Sequence, residues 1–378
     1  MIRRAATTAL LLSFLSSCWS GPREAWPPQP DSENNYDSAE LEAWYARRAD
    51  PKAYVGLSGE SAVAVVDTAE GRVRTKIPVP SGPHGIVVSR DGRTVFVSSD
   101  GASSVSVIDT ATDDVVETID VGAAPHGLAL TPDGRRLLVA GFGSNRLVVV
   151  DAHGRTIEGE VPVPMPHTVA VAPDGATAYV ASQLRGSEAV VEVDLRRLAV
   201  AARIPLAMSP RALAVSADGS TLYATETGSD AVATIDLGER RVTGSVAGGA
   251  RPHAAVLTPD GKRVLVVSQG SGELVVLRAS SGAERERIGV GRAPHWVAAS
   301  SEGRAALVTD EGSDELSIVD LAKGAVVATI PVGKGPRKIA VQAGPVALAG
   351  SVAIARPEVA AGDATPTIAN GPALEATR

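Results

Sequence analysis

The sequence predicts an all-β fold, a seven-bladed β-propeller with three-plus-one closure of its terminal blade. Three observations predict this class. A unit of about 42 residues recurs along the chain, and repeats of this length are typical of propellers and solenoids. Each unit contains four short runs rich in Val, Ile, Leu and Ala. Three further runs precede the first complete unit and one follows the last, so the chain ends together supply one more blade.

A Pro-His or Pro-Arg pair marks each unit, and successive pairs lie 42, 41, 44, 42, 42 and 42 residues apart. In chain order the pairs are Pro83-His84, Pro125-His126, Pro166-His167, Pro210-Arg211, Pro252-His253, Pro294-His295 and Pro336-Arg337. A turn of sequence Asp-Gly or Glu-Gly follows each of the first six pairs, beginning with Asp91-Gly92. Glycine adopts the positive φ that such turns require. In the first unit, the runs 85–88, 95–98, 105–109 and 115–121 therefore form a four-stranded antiparallel meander.

The two ends of the repeat region predict how the ring closes. The runs 53–57, 62–67 and 72–79 lack a first strand, whereas the run 338–342 has no partners after it. Placing all four in one sheet completes a seventh blade and removes an open sheet edge.

Several of these motifs are those of one known repeat family. The run Tyr179-Val180-Ala181-Ser182, the Pro-Asp-Gly turns and the Val-Ile-Asp-Thr sequence at 107–110 resemble the YVTN-type β-propeller repeat. The resemblance extends over about residues 53–343. It implies the propeller fold and no single function, because similar repeats occur in surface-layer proteins, lactonase-like enzymes and exported binding proteins.

Composition excludes some classes of function. The chain has 44% hydrophobic and 21% charged residues, which is ordinary for a folded domain. Its net charge of −7 disfavours nucleic acid as a partner, since phosphate backbones attract basic surfaces. Aromatic residues make up only 3%, so a platform for stacking bases is not expected either.

Residues 1–17 are predicted to be a signal peptide, because Arg3 and Arg4 precede an apolar stretch and small residues. Leu15-Ser16-Ser17-Cys18 resembles the bacterial lipobox, which implies lipidation of Cys18; an ordinary cleaved signal peptide is the alternative. Residues 18–50 are interpreted as the lipidated cysteine and a flexible spacer, 51–343 as the propeller, and 344–378 as a flexible Ala/Gly/Pro-rich tail. The protein is therefore expected in the cell envelope and, if the cell is Gram-negative, on its outer membrane, facing the periplasm or the surface.

Six aspartates recur at the end of the third run of a unit, and they are Asp67, Asp109, Asp151, Asp194, Asp236 and Asp320. Carboxylates are calcium ligands, but equivalent residues of a propeller lie far apart. We therefore expect each aspartate to stabilise an Asx turn between the third and fourth strands. Arg278 occupies this position in the remaining unit.

The Pro-His/Arg pairs point to a ligand site, because equivalent residues of all blades meet at one mouth of the central channel. The predicted ring comprises His84, His126, His167, Arg211, His253, His295 and Arg337. Three roles remain open. The histidines could bond the backbone of neighbouring blades, His84, His126 and His167 could bind copper or zinc, or the mixed ring could bind an anion through arginine forks.

Loops between the second and third strands open at the same mouth and carry Asp100, Phe142, Gln183, Glu226, Gln269, Asp310 and Glu311. Glu226 and Asp310 are assigned to the predicted ligand site, and Trp296 is the large aromatic residue expected to reach it. Trp296 could instead pack between blades. A lactonase-like hydrolase could use Glu226 or Asp310 as a general base. The sequence contains no known catalytic motif, so catalysis is not expected. The predicted function is that of a lipid-anchored binding or scaffolding propeller for a protein or a small anionic ligand; the alternative is a metal-dependent or lactonase-like enzyme.

Overall fold

The computed structural model describes residues 52–342, which form 28 β-strands in seven four-stranded antiparallel sheets. The signal peptide, lipid anchor, spacer and tail predicted at 1–17, 18–50 and 344–378 lie outside the described residues. Within the described range, no helix has the length and apolar character needed to cross a membrane.

Each of the first three blades is one repeat. Blade 1 contains β4 (Pro83–Val88), β5 (Thr94–Ser99), β6 (Ser104–Asp109) and β7 (Asp114–Asp120). Blade 2 contains β8 (Pro125–Leu130), β9 (Arg136–Gly141), β10 (Arg146–Asp151) and β11 (Ile157–Pro162). Blade 3 contains β12 (Pro166–Val171), β13 (Thr177–Ser182), β14 (Ala189–Asp194) and β15 (Ala199–Pro205).

The next three blades repeat this order. Blade 4 contains β16 (Ser209–Val215), β17 (Thr221–Thr227), β18 (Ala231–Asp236) and β19 (Arg241–Ala247). Blade 5 contains β20 (Pro252–Leu257), β21 (Arg263–Ser268), β22 (Glu273–Arg278) and β23 (Glu284–Gly289). Blade 6 contains β24 (Pro294–Ala299), β25 (Ala305–Asp310), β26 (Glu315–Asp320) and β27 (Ala325–Pro331).

Blade 7 joins the two ends of the repeat region and confirms the predicted three-plus-one closure. Its strands are β28 (Pro336–Val341), β1 (Lys52–Leu57), β2 (Ala62–Asp67) and β3 (Arg72–Pro78), in that order. β28 pairs antiparallel with β1, with Tyr54 opposite Ala340 and Val55 opposite Ile339. Each innermost strand contacts the innermost strand of the next blade, and β28 contacts β4, so the ring is closed.

The hydrophobic core is divided into seven clusters, each between two adjacent blades. The cluster that links blades 6 and 7 includes Val55, Leu307 and Ile339. The outermost strands are largely exposed, and β3 buries only Ile77. Blades therefore depend on both neighbours for their burial, as expected where small aliphatic side chains fill flat interfaces between sheets.

Local turn chemistry follows the predicted pattern. Gly92 adopts a φ of 70° in the turn that joins β4 to β5. The Asp67 carboxylate accepts hydrogen bonds from the backbone N–H groups of Ala69 and Glu70, and Asp151 accepts from His153 and Gly154. These are Asx turns, which supports the structural interpretation of the repeated aspartates over the calcium interpretation.

One feature of the strands differs from the sequence pattern. Six of the seven innermost strands begin at the proline of the pair, so that β4 starts at Pro83 and β28 at Pro336 instead of two residues later, and β16 begins at Ser209. A register shift follows at once, between Pro83 and Ile86 in β4. This β-bulge places the ring residue in an irregular part of the strand, where bulges commonly redirect a side chain.

Closure by β28 predicts the effect of truncation. A chain that ends before Pro336 loses the pairing with β1 and exposes the cluster around Val55 and Leu307, so its thermal unfolding midpoint is expected to fall by at least about 10 °C. A chain that ends after Gln342 keeps all 28 strands and serves as the control. Calorimetry of both checks this; equal melting of the two chains would contradict the closure.

Candidate functional site

Hydroxyl side chains hold the backbone of the ring in place. The bulge in β4 leaves the N–H of Gly85 free to donate to Ser98 Oγ, and this hydroxyl donates to the carbonyl of His126 in the next blade (2.5 Å). Thr309 does the same in blade 6, accepting from the N–H of Trp296 and donating to the carbonyl of Arg337 (2.5 Å). Each of these hydroxyls joins two adjacent blades and so fixes the ring positions of those two blades relative to each other.

The histidine side chains of the ring meet at the hub. The rings of His84 and His126 stack with centroids 4.4 Å apart and planes 12° apart. Phe142, from the loop after β9, stacks on the other face of His126 at 4.5 Å. His84 also lies 5.6 Å from His167 and 6.3 Å from His295, although other blades separate them in the ring. The hub is therefore narrow and suits only small ligands.

Two histidines bond a neighbouring blade, as the structural interpretation predicts. His253 Nδ1 lies 2.8 Å from the carbonyl oxygen of His295, and His167 Nδ1 lies 3.2 Å from that of Arg211. Arg211 Nη1 donates to His253 Nε2 (2.8 Å), so the hydrogen of this neutral imidazole is on Nδ1.

The other three histidines differ from these two. The Nδ1 atoms of His84, His126 and His295 are buried, and they have no hydrogen-bond partner among the residues that the structure describes. Buried polar atoms normally have a partner, and those that do not call for an explanation such as a bound ligand. Backbone bonding therefore accounts for part of the ring only.

The two ring arginines have different surroundings. Arg337 lies 3.5 Å from the carboxylates of both Asp100 and Glu311, and Asp100 also lies 3.8 Å from His126 Nε2. Arg211 is half-buried and bonds Thr227 and His253, but within residues 52–342 no carboxylate lies within ion-pair distance of its guanidinium. Arg211 is thus a cation without a counter-ion at the hub.

Lys338 is a hub residue that the sequence analysis did not identify. It follows Arg337 in β28 and is only 6% exposed. Its Nζ lies 4.0 Å from the centroid of the Trp296 ring. Trp296 is half-buried and also packs against the clusters on both sides of blade 6, so it both fills a blade interface and contacts a hub side chain.

Burial sets the protonation of the hub. Desolvation, followed by nearby histidines and cations, lowers the pKa of His84, His167 and His295 well below the ordinary value. Desolvation and neighbouring cations lower the pKa of His126 to about 4 and that of His253 to about 3. Desolvation lowers the pKa of Lys338 to about 7. At neutral pH the five histidines are therefore uncharged.

Glu226 and Asp310 lie apart from the ring. Each is paired in register with the proline before a ring residue, Pro210 and Pro294, and is buried within its blade. Glu226 accepts from the N–H of Met208, and Asp310 accepts from Ser317 Oγ (2.7 Å). Within the described part of the chain, neither carboxylate contacts a ring side chain. The carboxylates that do so are Asp100 and Glu311, one residue further along in the equivalent loops.

Three histidines of the ring lie close enough together to be candidate metal ligands. His84, His126 and His167 each offer a ring nitrogen, and these atoms lie within 4.8 Å of one another. A metal ion lies close to the plane of each imidazole that binds it, yet His84 and His126 are stacked in nearly parallel planes. His126 would have to leave its stack with Phe142 before both rings could bind one copper or zinc ion. The present geometry suits donation of hydrogen bonds to an anion better.

Comparisons with known proteins agree with the fold. A family model described as YNCE-like beta-propeller matches residues 43–129 and 122–356. A solved structure titled Kuenenia stuttgartiensis Hydrazine Synthase is 25% identical, covering 69% of this chain and 90% of that chain with a TM-score of 0.63. A functionally unknown protein from Desulfotomaculum acetoxidans is 13% identical, covering 78% of this chain and 100% of that chain with a TM-score of 0.68. No curated protein matches the sequence.

The lowered histidine pKa values predict how stability depends on pH. An unfolded histidine has a pKa near 6.5, so below that pH the unfolded chain binds more protons, and stability is lost as pH falls toward the folded values of about 4 and 3. Desolvation raises the pKa of Asp310 to about 7, so the stability that this carboxyl contributes is lost as pH rises. Its effect is opposite to that of the histidines, but it is one group against five.

We expect His253→Gln to reduce the stability lost between pH 7 and pH 5 by about 2 kcal/mol. Urea unfolding at both pH values checks this. His153→Gln, at an exposed histidine outside the hub, is the matched control and should leave the loss unchanged. If both variants lost as much stability as the parent chain, the buried histidines would not be its source.

Proposed function

The chain belongs to the YNCE-like β-propeller family, and on that premise we propose that it is a binding protein whose hub holds a small anionic ligand. The β-propeller fold supports a binding or scaffolding role in general. The ligand class is the further step of the proposal. It rests on the side chains of the ring and on the charges around them.

The observation that carries the proposal is a set of buried polar groups without partners. His84 and His295 are each at least nine-tenths buried, and their Nδ1 atoms have no hydrogen-bond partner within residues 52–342. Imidazole, guanidinium and ammonium groups are all able to donate to an acceptor. A carboxylate or phosphate at the hub would offer several acceptor oxygens to these groups at once.

The charges favour an anion over a cation. Arg211, Arg337 and Lys338 lie close enough to the ring histidines to lower their pKa. In the described range, no carboxylate lies within ion-pair distance of Arg211. Asp100 and Glu311 are both occupied by Arg337. Arginine binds planar oxyanions through two parallel hydrogen bonds, so the site fits a carboxylate or phosphate.

The proposal includes the location of the protein. We propose that residues 1–17 direct export, that Cys18 is lipidated, and that the YVTN-type propeller is thereby held in the cell envelope. The lipobox-like sequence Leu15-Ser16-Ser17-Cys18 supports this placement. A propeller at the end of a spacer could present its hub to ligands or to a protein partner on that side of the membrane.

Anion binding is tested by isothermal titration calorimetry at pH 7 with inorganic phosphate and with oxalate as probes. Arg211→Gln is expected to weaken binding at least tenfold, because a charge-assisted hydrogen bond contributes about 1.5–3 kcal/mol. Arg278→Gln, at an exposed arginine on β22, is the control and should bind as the parent chain does.

Two results would contradict the anion proposal. One is the absence of heat with either probe, and the other is equal binding by the parent chain and Arg211→Gln. Uptake of one equivalent of Zn²⁺ or Cu²⁺, lost when His84, His126 and His167 are all changed to Asn, would instead support the metal alternative.

A further inference from the structure

Lys338 has unusual surroundings for a lysine. It lies on the innermost strand that closes blade 7, it is 6% exposed, and its ammonium nitrogen faces the Trp296 ring at 4.0 Å. Within residues 52–342, no carboxylate or carbonyl oxygen accepts a hydrogen bond from this nitrogen. The Trp296 ring is thus the only partner of this ammonium within the described range, and a buried charge without a hydrogen-bond acceptor is disfavoured.

Lys52 is a second buried lysine, and it differs from Lys338 in having hydrogen-bond partners. Its exposure is also 6%, but its Nζ donates to the Asp113 carboxylate and to the carbonyl of Thr110, both at 2.9 Å. Lys52 is thus paired with a carboxylate and a carbonyl oxygen. Lys338 has the same degree of burial and none of these bonds.

Burial opposes the protonation of Lys338, and the charges nearby show that it lies at the hub. Its charge lowers the pKa of all five ring histidines, which are His84, His126, His167, His253 and His295. Arg211 and Arg337 are the neighbouring cations at the hub, and the nearby acids Asp100 and Glu311 are paired with Arg337. Burial lowers the pKa of Lys338 to about 7, so the neutral amine is present near neutral pH, whereas an ordinary lysine is almost entirely protonated there.

A neutral lysine beside cationic groups is the kind of amine that attacks carbonyl carbons. We propose that Lys338 condenses reversibly with the carbonyl carbon of a small oxo acid, while the arginines of the ring bind its carboxylate. The choice of an oxo acid as the ligand rests on the proposed anion site. The proposed reactivity of the Lys338 amine is independent of that site.

The condensation needs no co-reactant. The lone pair of the neutral Nζ forms the C–N bond, and the carbonyl π electrons move to oxygen, giving a carbinolamine. Loss of this oxygen as water takes away both amine hydrogens and leaves a C=N bond to Lys338. Water release is reversible, so the ligand can leave by hydrolysis.

The test uses the full chain with glyoxylate as the oxo acid and sodium cyanoborohydride to reduce any imine. The product is carboxymethyl-lysine, which mass spectrometry locates among the six lysines, Lys52, Lys76, Lys262, Lys323, Lys334 and Lys338. At pH 7 we expect Lys338 to be labelled at least tenfold faster than the exposed Lys262 and Lys334, with a rate that rises with pH to a midpoint near 7. Lys52 should remain unlabelled.

Lys338→Met keeps an apolar stem beside Trp296 and should lose the fast labelling while melting within a few degrees of the parent chain. The parent chain alone can overturn the proposal. It would do so if Lys338 were labelled no faster than Lys334, or if the labelling rate of Lys338 rose with pH to a midpoint near 10. Acetaldehyde, which has no carboxylate, should label Lys338 at least tenfold more slowly than glyoxylate. Equal rates for the two aldehydes would overturn the oxo-acid class and leave only a reactive amine.

Selective labelling by glyoxylate should fall to the acetaldehyde level in Arg211→Gln. If phosphate and oxalate fail to bind but Lys338 still reacts fast with acetaldehyde, the anion site is wrong and the reactive amine stands. If the anions bind and Lys338 is inert, the amine chemistry is wrong and the proposed binding function stands.

Discussion

The antiparallel pairing of β28 with β1 is the constraint on which the rest of the structure depends. Every blade buries its faces against two neighbours, so an open ring would leave two apolar sheet faces and an unpaired strand edge in water. The pairing converts a row of sheets into a closed ring. Only a closed ring has an axis at which side chains from all blades can meet.

The hub follows from this closure and from a local irregularity. A bulge at the start of each innermost strand directs one side chain per blade toward the axis, and Ser98, Thr225 and Thr309 hold the bulge in three of the blades. Repetition alone would give seven equal groups. Arg211 and Arg337 occupy ring positions that are histidine in the other blades, and Lys338 lies beside Arg337. These three residues make the hub asymmetric and place positive charge among histidines that burial keeps neutral.

The sequence predicted the blades well because each repeat has its own turn signals, and the surplus strands at the two ends indicated closure. It predicted the hub side chains less well. Within their repeats, Glu226 and Asp310 lie one position before the position that Asp100 and Glu311 occupy. Successive side chains of a strand point in opposite directions, so Glu226 and Asp310 do not contact the ring as Asp100 and Glu311 do. Lys338 was missed because its equivalents, such as Gly85 and Ala254, form no pattern, and its burial depends on tertiary packing.

Strand β28 carries both Arg337 and Lys338 and is the last of the 28 strands in chain order. During synthesis, the first 27 strands emerge from the ribosome without these two cations. A nascent chain therefore has no complete hub until the final strand has paired with β1. A prematurely terminated chain would contain Arg211 but lack β28 and the other two hub cations, so the proposed site would be complete only in a chain whose ring is closed.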